Sequence, residues 1–158
     1  GYEPEKHNFD LAQRNLRLND FTSKQARVFQ RAIVGNNDRT RPFFLNTRRN
    51  KGAHSLVEKR SRGSVDVKCA NINDILKEIK PTVVKLDCEG AEYEILTAIK
   101  SFRSVRELIF EFHHQDLKDQ NSREKYRKII GLMKKHFGTV VYRKEPKKAW
   151  VSNVYCCK

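Results

Sequence analysis

The stretch Val83-Val84-Lys85-Leu86-Asp87-Cys88-Glu89-Gly90-Ala91-Glu92-Tyr93-Glu94-Ile95-Leu96 begins as a strand and ends as a helix. Val83, Val84 and Leu86 form a β-rich apolar run behind Pro81, the pattern of a buried strand. Ala91, Ile95, Ala98, Ile99 and Phe102 then recur at helical spacing. Gly90 stands at the switch, where a backbone without Cβ turns sharply. Asp87 and Glu89 therefore fall at the carboxyl end of a strand, where open α/β sheets bind ligands. Two residues apart on an extended chain, they face one side. Glu89 and Glu92 also suit the positive end of the following helix.

The rest of the chain repeats the alternation. Tyr2-Glu3 reads as a strand end, and Pro4 suits the first turn of a helix that reaches about Leu18. Glu3 thus sits at a second strand-to-helix junction. A carboxylate there can accept two ribose hydroxyls or cap the helix. Ala26 to Val34 alternates as a strand, Gly35 to Asp38 is a turn, and Phe43 to Leu45 is a short strand. Ser64 to Ala70 is a strand, and Asn73 or Asp74 caps a helix that Pro81 ends. Glu107 to His113 is a strand with Leu108, Phe110 and Phe112 on one face, placing Glu111 and His113 at its carboxyl end. Asn121 with Glu124 resembles a capping box before the stripe Tyr126, Ile129, Ile130, Met133 and Phe137. Thr139–Arg143 and Trp150–Cys156 flank Pro146 as an antiparallel hairpin. The expected architecture is one α/β domain over residues 1–158, its sheet mostly parallel, with the Val83 and Leu108 strands adjacent and central and the antiparallel hairpin at the C-terminal end.

With 158 residues the chain builds one core, and 33% charged residues with a net charge of +14 favour anionic partners. The excess is densest from Arg39 to Arg62, where Arg39, Arg41, Arg48, Arg49, Lys51, Lys59, Arg60 and Arg62 face one acid, Glu58. Gly52, Gly63 and serines mark residues 39–63 as an inserted basic loop, able to hold an anionic substrate or nucleic acid. Cys69, Cys88, Cys156 and Cys157 fit no zinc spacing and read as reduced thiols of a cytoplasmic protein. No stretch approaches a membrane span, so no membrane partner is expected.

Several segments resemble the FkbM-type methyltransferases. Tyr2-Glu3-Pro4 with Asn8, Leu11, Asn15 and Leu18-Asn19 is similar to their "EP…N…L…N…LN" segment. Ala53-His54-Ser55-Leu56 resembles their small-residue-Ser-Leu loop, and Asn73-Asp74-Ile75-Leu76 the segment before their central strand. Lys85-x-Asp87-x-Glu89-Gly90-Ala91-Glu92 with Leu96 resembles their most specific motif, and Glu111-x-His113 their next strand end. The resemblance implies a Rossmann-like seven-stranded sheet, S-adenosylmethionine as cofactor, and methyl transfer to a hydroxyl of a sugar or small metabolite. It implies that Glu3 binds the cofactor ribose, Ala32 lies near the adenine, and Asp87 faces the sulfonium. Asp87, Glu89 and His113 become the catalytic candidates. His54, Ser55, Glu92 and Glu111 become the substrate-binding ones. Glu89, Glu92, Glu111 and His113 are also cation-binding residue types, but no spacing enforces a metal site and none is expected.

One family element is missing from the sequence. The first strand and its "D-x-G-A-N-x-G" turn belong before Glu3, and the glycines at 1, 35, 52, 63, 90, 131 and 138 contain no G-x-G. The expectation is an N-terminally incomplete sheet: a fragment, a half whose missing strand a second chain supplies, or a domain without catalysis. Stand-alone activity is not expected. Two rival functions use the charge: ribose 2′-hydroxyl methylation of RNA, and nucleic-acid binding without chemistry. The charge alone yields a hypothesis: the Arg39–Arg62 segment binds nucleic acid weakly and without sequence preference. Retention on a nucleic-acid column should then be clear at low salt and fall steeply toward physiological salt. Absence of retention at low salt, or indifference to salt, refutes it.

Overall fold

The computed structural model describes residues 1–45, 54–56, 63–114, 120–145 and 148–158. Its elements run α1 (Lys6–Leu18), β1 (Ala32–Val34), β2 (Thr40–Phe44), β3 (Ser64–Asn71), α2 (Ile72–Ile79), β4 (Val83–Leu86), α3 (Glu92–Ala98), β5 (Glu107–His113), α4 (Gln120–His136), β6 (Thr139–Glu145) and β7 (Lys148–Cys157). The strands form two sheets, ordered β1-β3-β2 and β4-β5-β7-β6.

In the larger sheet β5 takes the middle because its sequence suits burial. Leu108, Phe110 and Phe112 alternate inward and are almost fully covered. Each such side chain contributes about 1.5–3 kcal/mol on burial. They meet Ile95 and Leu96 of α3 and the Ile129, Ile130 and Met133 stripe of α4 in one core. β4 pairs with β5 in parallel, Val83 opposite Glu107 and Leu86 opposite Phe110. The C-terminal hairpin is present as expected, with β6 and β7 antiparallel from Thr139 opposite Cys157 onward.

The expectation of a mostly parallel sheet is corrected. β1–β3 and β4–β5 are parallel, whereas β2–β3, β5–β7 and β6–β7 are antiparallel. Local alternation identifies strands but carries no information on their direction or on which sheet they join. β4 neighbours β5 as expected but stands at the edge, and Val83 is 52% exposed rather than buried. The Ala26–Val34 strand shortens to β1 plus a parallel bridge between Tyr2 and Phe29, closed by Glu3 N–H donating to Phe29 O at 3.0 Å. α3 ends at Ala98, so Ile99 and Phe102 reach the core from the connection beyond it.

Three helix starts also shift. Glu5, not Pro4, opens α1, its carboxylate accepting Asn8 N–H at 2.7 Å. Asn71, not Asn73 or Asp74, caps α2 by accepting Asn73 N–H at 2.7 Å. Asn121 lies inside α4 rather than before it. In each case several polar residues compete for the cap, and tertiary packing chooses. Of the basic stretch, Thr40–Phe44 is strand β2, and Arg41 is committed to Asp38 and Glu94, at 2.8 Å each. Arg48, Arg49, Lys51, Lys59, Arg60 and Arg62 lie outside the described residues.

The two sheets are fastened through α3. Glu94 accepts Gly35 N–H at 3.1 Å with one oxygen and the Arg41 guanidinium with the other. A Cβ on Gly35 would stand 2.7 Å from both the Glu94 carbonyl oxygen and Ala98 Cβ. Gly35→Ala should therefore cost about 1–3 kcal/mol. Gly131→Ala, on an exposed turn of α4 with open space around it, should instead stabilise by about 0.5–1 kcal/mol. Denaturant unfolding of both variants checks the opposite signs, and equal behaviour would refute the close packing at Gly35.

Candidate active site

The chain leaves β4 at Leu86 and enters a turn that its residues would not take unaided. Glu89 has φ 49° and Gly90 φ 109°, both left-handed. For glutamate that conformation costs of order 1–3 kcal/mol, and the surroundings hold it. Ser55 Oγ donates to the Glu89 carbonyl oxygen at 2.7 Å. Cys88 N–H donates to Glu92 Oε1 at 3.0 Å, and Gly90 N–H donates to both Glu92 oxygens.

Glu92 does more than fasten the turn. Its side chain is 1% exposed, and Oε1 lies 3.0 Å from His113 Nδ1 at the end of β5. Oε1 accepts, so Nδ1 carries hydrogen and Nε2 points the other way, 3.4 Å from Glu89 Oε2. Asp87, Glu89 and His113 thereby converge, with one ligating atom of each within 4.8 Å of the others. Asp87 is the most open of the three and His113 the most enclosed.

These surroundings shift the titrating groups. Burial alone would lower the His113 pKa, but the hydrogen bond it donates to Glu92 and the charges of Glu92, Glu89 and Asp87 outweigh it and raise it. Burial raises the Glu89 pKa, and the neighbouring carboxylates of Asp87, Glu92 and Glu111 add to this against the opposing pull of His113. Burial likewise raises the Glu3 pKa, partly offset by the Glu5 N–H that its Oε1 accepts at 2.8 Å. The Cys88 thiol, pushed up to about 12 by burial and then by Glu92 and Asp87, is no nucleophile.

A cleft of about 110 Å³ opens beside this cluster, lined among others by Glu3, Ala32, Phe43, His54, Asp87 and Glu89. A larger groove, about 720 Å³, runs between the stacked Tyr2 and Phe29 rings and α2 but includes none of Asp87, Glu89 and His113. The structure thus gathers the three catalytic candidates and sets Glu3, Ala32 and His54 along the adjoining wall. Ser55 and Glu92, expected at the substrate, are instead buried and hold the turn and the histidine. Glu111 shares the His113 face of β5 but does not line the cleft. The orienting role of Glu92 had one sequence signal, a carboxylate two residues after a glycine at the start of a buried helix. The brace from Ser55 had none.

The Methyltransferase FkbM domain model matches residues 1–140. The chain belongs to the FkbM methyltransferase family. No curated protein and no solved structure matches it. Family membership supports a methyltransferase function for this FkbM domain, and among its described residues no helix is long and apolar enough to cross a membrane.

The Glu92–His113 contact makes the FkbM domain pH-sensitive with a definite sign. A histidine whose folded-state pKa is raised lends stability that is complete below the unfolded value of about 6.5 and is lost as pH rises through the folded value. Glu92→Gln should therefore cost more stability at pH 6 than at pH 8.5, and the His113 ring resonance should titrate at lower pH in the variant. Glu92→Ala, which leaves the buried partners uncompensated, should cost about 3–5 kcal/mol. An unchanged His113 titration in Glu92→Gln would rule the contact out.

Proposed function

We propose that the domain transfers a methyl group from S-adenosylmethionine to a hydroxyl of a sugar or small metabolite. The observation that carries this reading is the convergence of Asp87, Glu89 and His113, of which Asp87 and Glu89 line a cleft that Glu3 and Ala32 also line, with His113 behind Glu89. The donor set suits the nucleoside part of the cofactor: a half-buried carboxyl next to the Tyr2–Phe29 bridge, Glu3, for ribose hydroxyls, and the small buried Ala32 for a flat ring. At about 110 Å³ the cleft falls below the roughly 300 Å³ at which pockets for whole ligands begin. The described residues therefore take part of the cofactor.

When bound, S-adenosylmethionine would supply an electrophilic methyl group carried on a positively charged sulfur. His113 supplies the base: Glu92 fixes hydrogen on Nδ1, so Nε2 takes the hydroxyl proton. Glu89 and Glu92 stabilise the imidazolium that results, as a carboxylate does beside any catalytic histidine. The Asp87 carboxylate, at the open side, favours the positive charge of the donor.

Residues 1–158 should bind S-adenosylmethionine weakly, because a cleft that encloses only part of the ligand forgoes hydrogen bonds. At roughly 1.5–3 kcal/mol for each bond to a charged group, two such losses weaken a micromolar site about a hundredfold or more. Titration calorimetry checks this, and Glu3→Ala should weaken binding further. His113→Gln should reduce transfer of labelled methyl to hydroxyl acceptors by about 10²–10⁴ without loss of cofactor binding. Micromolar binding by residues 1–158 would overturn the partial site. Undiminished transfer by His113→Gln would overturn the base.

A further inference from the structure

We infer that Asp87, Glu89 and His113 also form a divalent-cation site, best matched to Mn²⁺. Two carboxylates and one imidazole make a donor set between the all-oxygen sites of Mg²⁺ and the nitrogen-rich sites of Zn²⁺. The three ligating atoms lie within 4.8 Å of one another, close enough for one ion to touch all of them after small side-chain rotations.

The spacing between His113 Nε2 and Glu89 Oε2 supports the assignment separately. At 3.4 Å it is longer than the roughly 2.7–2.9 Å of a charge-assisted hydrogen bond. Two ligands on one ion at about 2.0–2.2 Å stand about 3–3.6 Å apart. The orientation agrees: a carboxylate that holds the far ring nitrogen of a histidine is the usual companion of a metal-binding imidazole, because it fixes the tautomer and aims the other nitrogen. Glu92, buried and itself anchored by two backbone N–H groups, occupies that position. Asp87 is 38% exposed and gives the ion a way in. Lys85 Nζ, 4.0 Å from Asp87 Oδ2, is 64% exposed and does not fill the site.

In catalysis the cation would hold and acidify the acceptor hydroxyl, whose proton would pass to water, and His113 Nε2 would then serve as a ligand instead of as the base. That use rests on the methyl-transfer reading, whereas binding does not. The test is a Mn²⁺ titration of residues 1–158 at pH 8, without cofactor, with free Mn²⁺ read by electron paramagnetic resonance. One ion per chain is expected. Asp87→Asn and His113→Ala should each weaken binding at least about tenfold and Glu92→Gln about 10–100-fold. Asp66→Asn, exposed on β3, should change nothing. Circular dichroism checks folding, and Asp87→Asn, the most exposed ligand, keeps the test open should His113→Ala unfold. No uptake below about 1 mM, or uptake unchanged in Asp87→Asn, overturns the site. Mn²⁺ binding without methyl transfer would overturn the proposed reaction and leave the cation site standing. Methyl transfer without Mn²⁺ binding would do the reverse.

Discussion

The carboxylate of Glu92 is the contact on which the candidate site depends. It is removed from water and surrounded by donors from two places: the Cys88 and Gly90 backbone of its own turn, and His113 across the β4–β5 pair. A buried charge is tolerated only when such donors replace water. The turn and the strand end are therefore locked to each other. Without Glu92 the turn would keep, among the described residues, only its Ala91 N–H to Cys88 carbonyl bond and the Ser55 contact against the strain at Glu89, and the imidazole would lose its Nδ1 partner. Ser55, from outside the turn, adds a second hold on Glu89.

Much of the fold was legible because the decisive patterns are local. The alternation of β5, the helical stripe of α4 and the hairpin of β6 and β7 each follow from spacing within a few residues, and each appears at its expected position. Strand direction was not legible. Ser64–Asn71 alternates in the same way whether its neighbours run with it or against it, and in fact it has one of each. Helix caps failed for a related reason, since Asn71, Asn73 and Asp74 are chemically equivalent candidates and only the path of β3 into α2 separates them.

The site divides along the same line. Asp87, Glu89 and His113 were readable as strand-end residues, and they do converge. The route differs from the one alternation suggests: Glu89 is not on extended backbone beside Asp87 but in a left-handed turn that swings it toward β5. Glu92 and Ser55 were readable as polar residues in the right segments but not as supports. Whether a carboxylate meets substrate or backbone depends on burial, which one residue in sequence does not disclose. Arg41 teaches the same caution about charge: it belongs to the basic stretch, yet it is paired with Asp38 and Glu94 near the surface.

The order β4-β5-β7-β6 also sets a schedule for synthesis. β7 lies between β5 and β6, with Val151 opposite His113 and Cys157 opposite both Glu107 and Thr139. A ribosome delivers β5 long before β7, so the strand carrying His113 emerges with one flank open. Its apolar face can be covered early by α3 and α4, but its second hydrogen-bonded edge waits for the last strand. Truncation within β7, however remote from Asp87 and Glu89 in sequence, would leave the histidine on an unfinished edge, open to pairing with a neighbouring nascent chain.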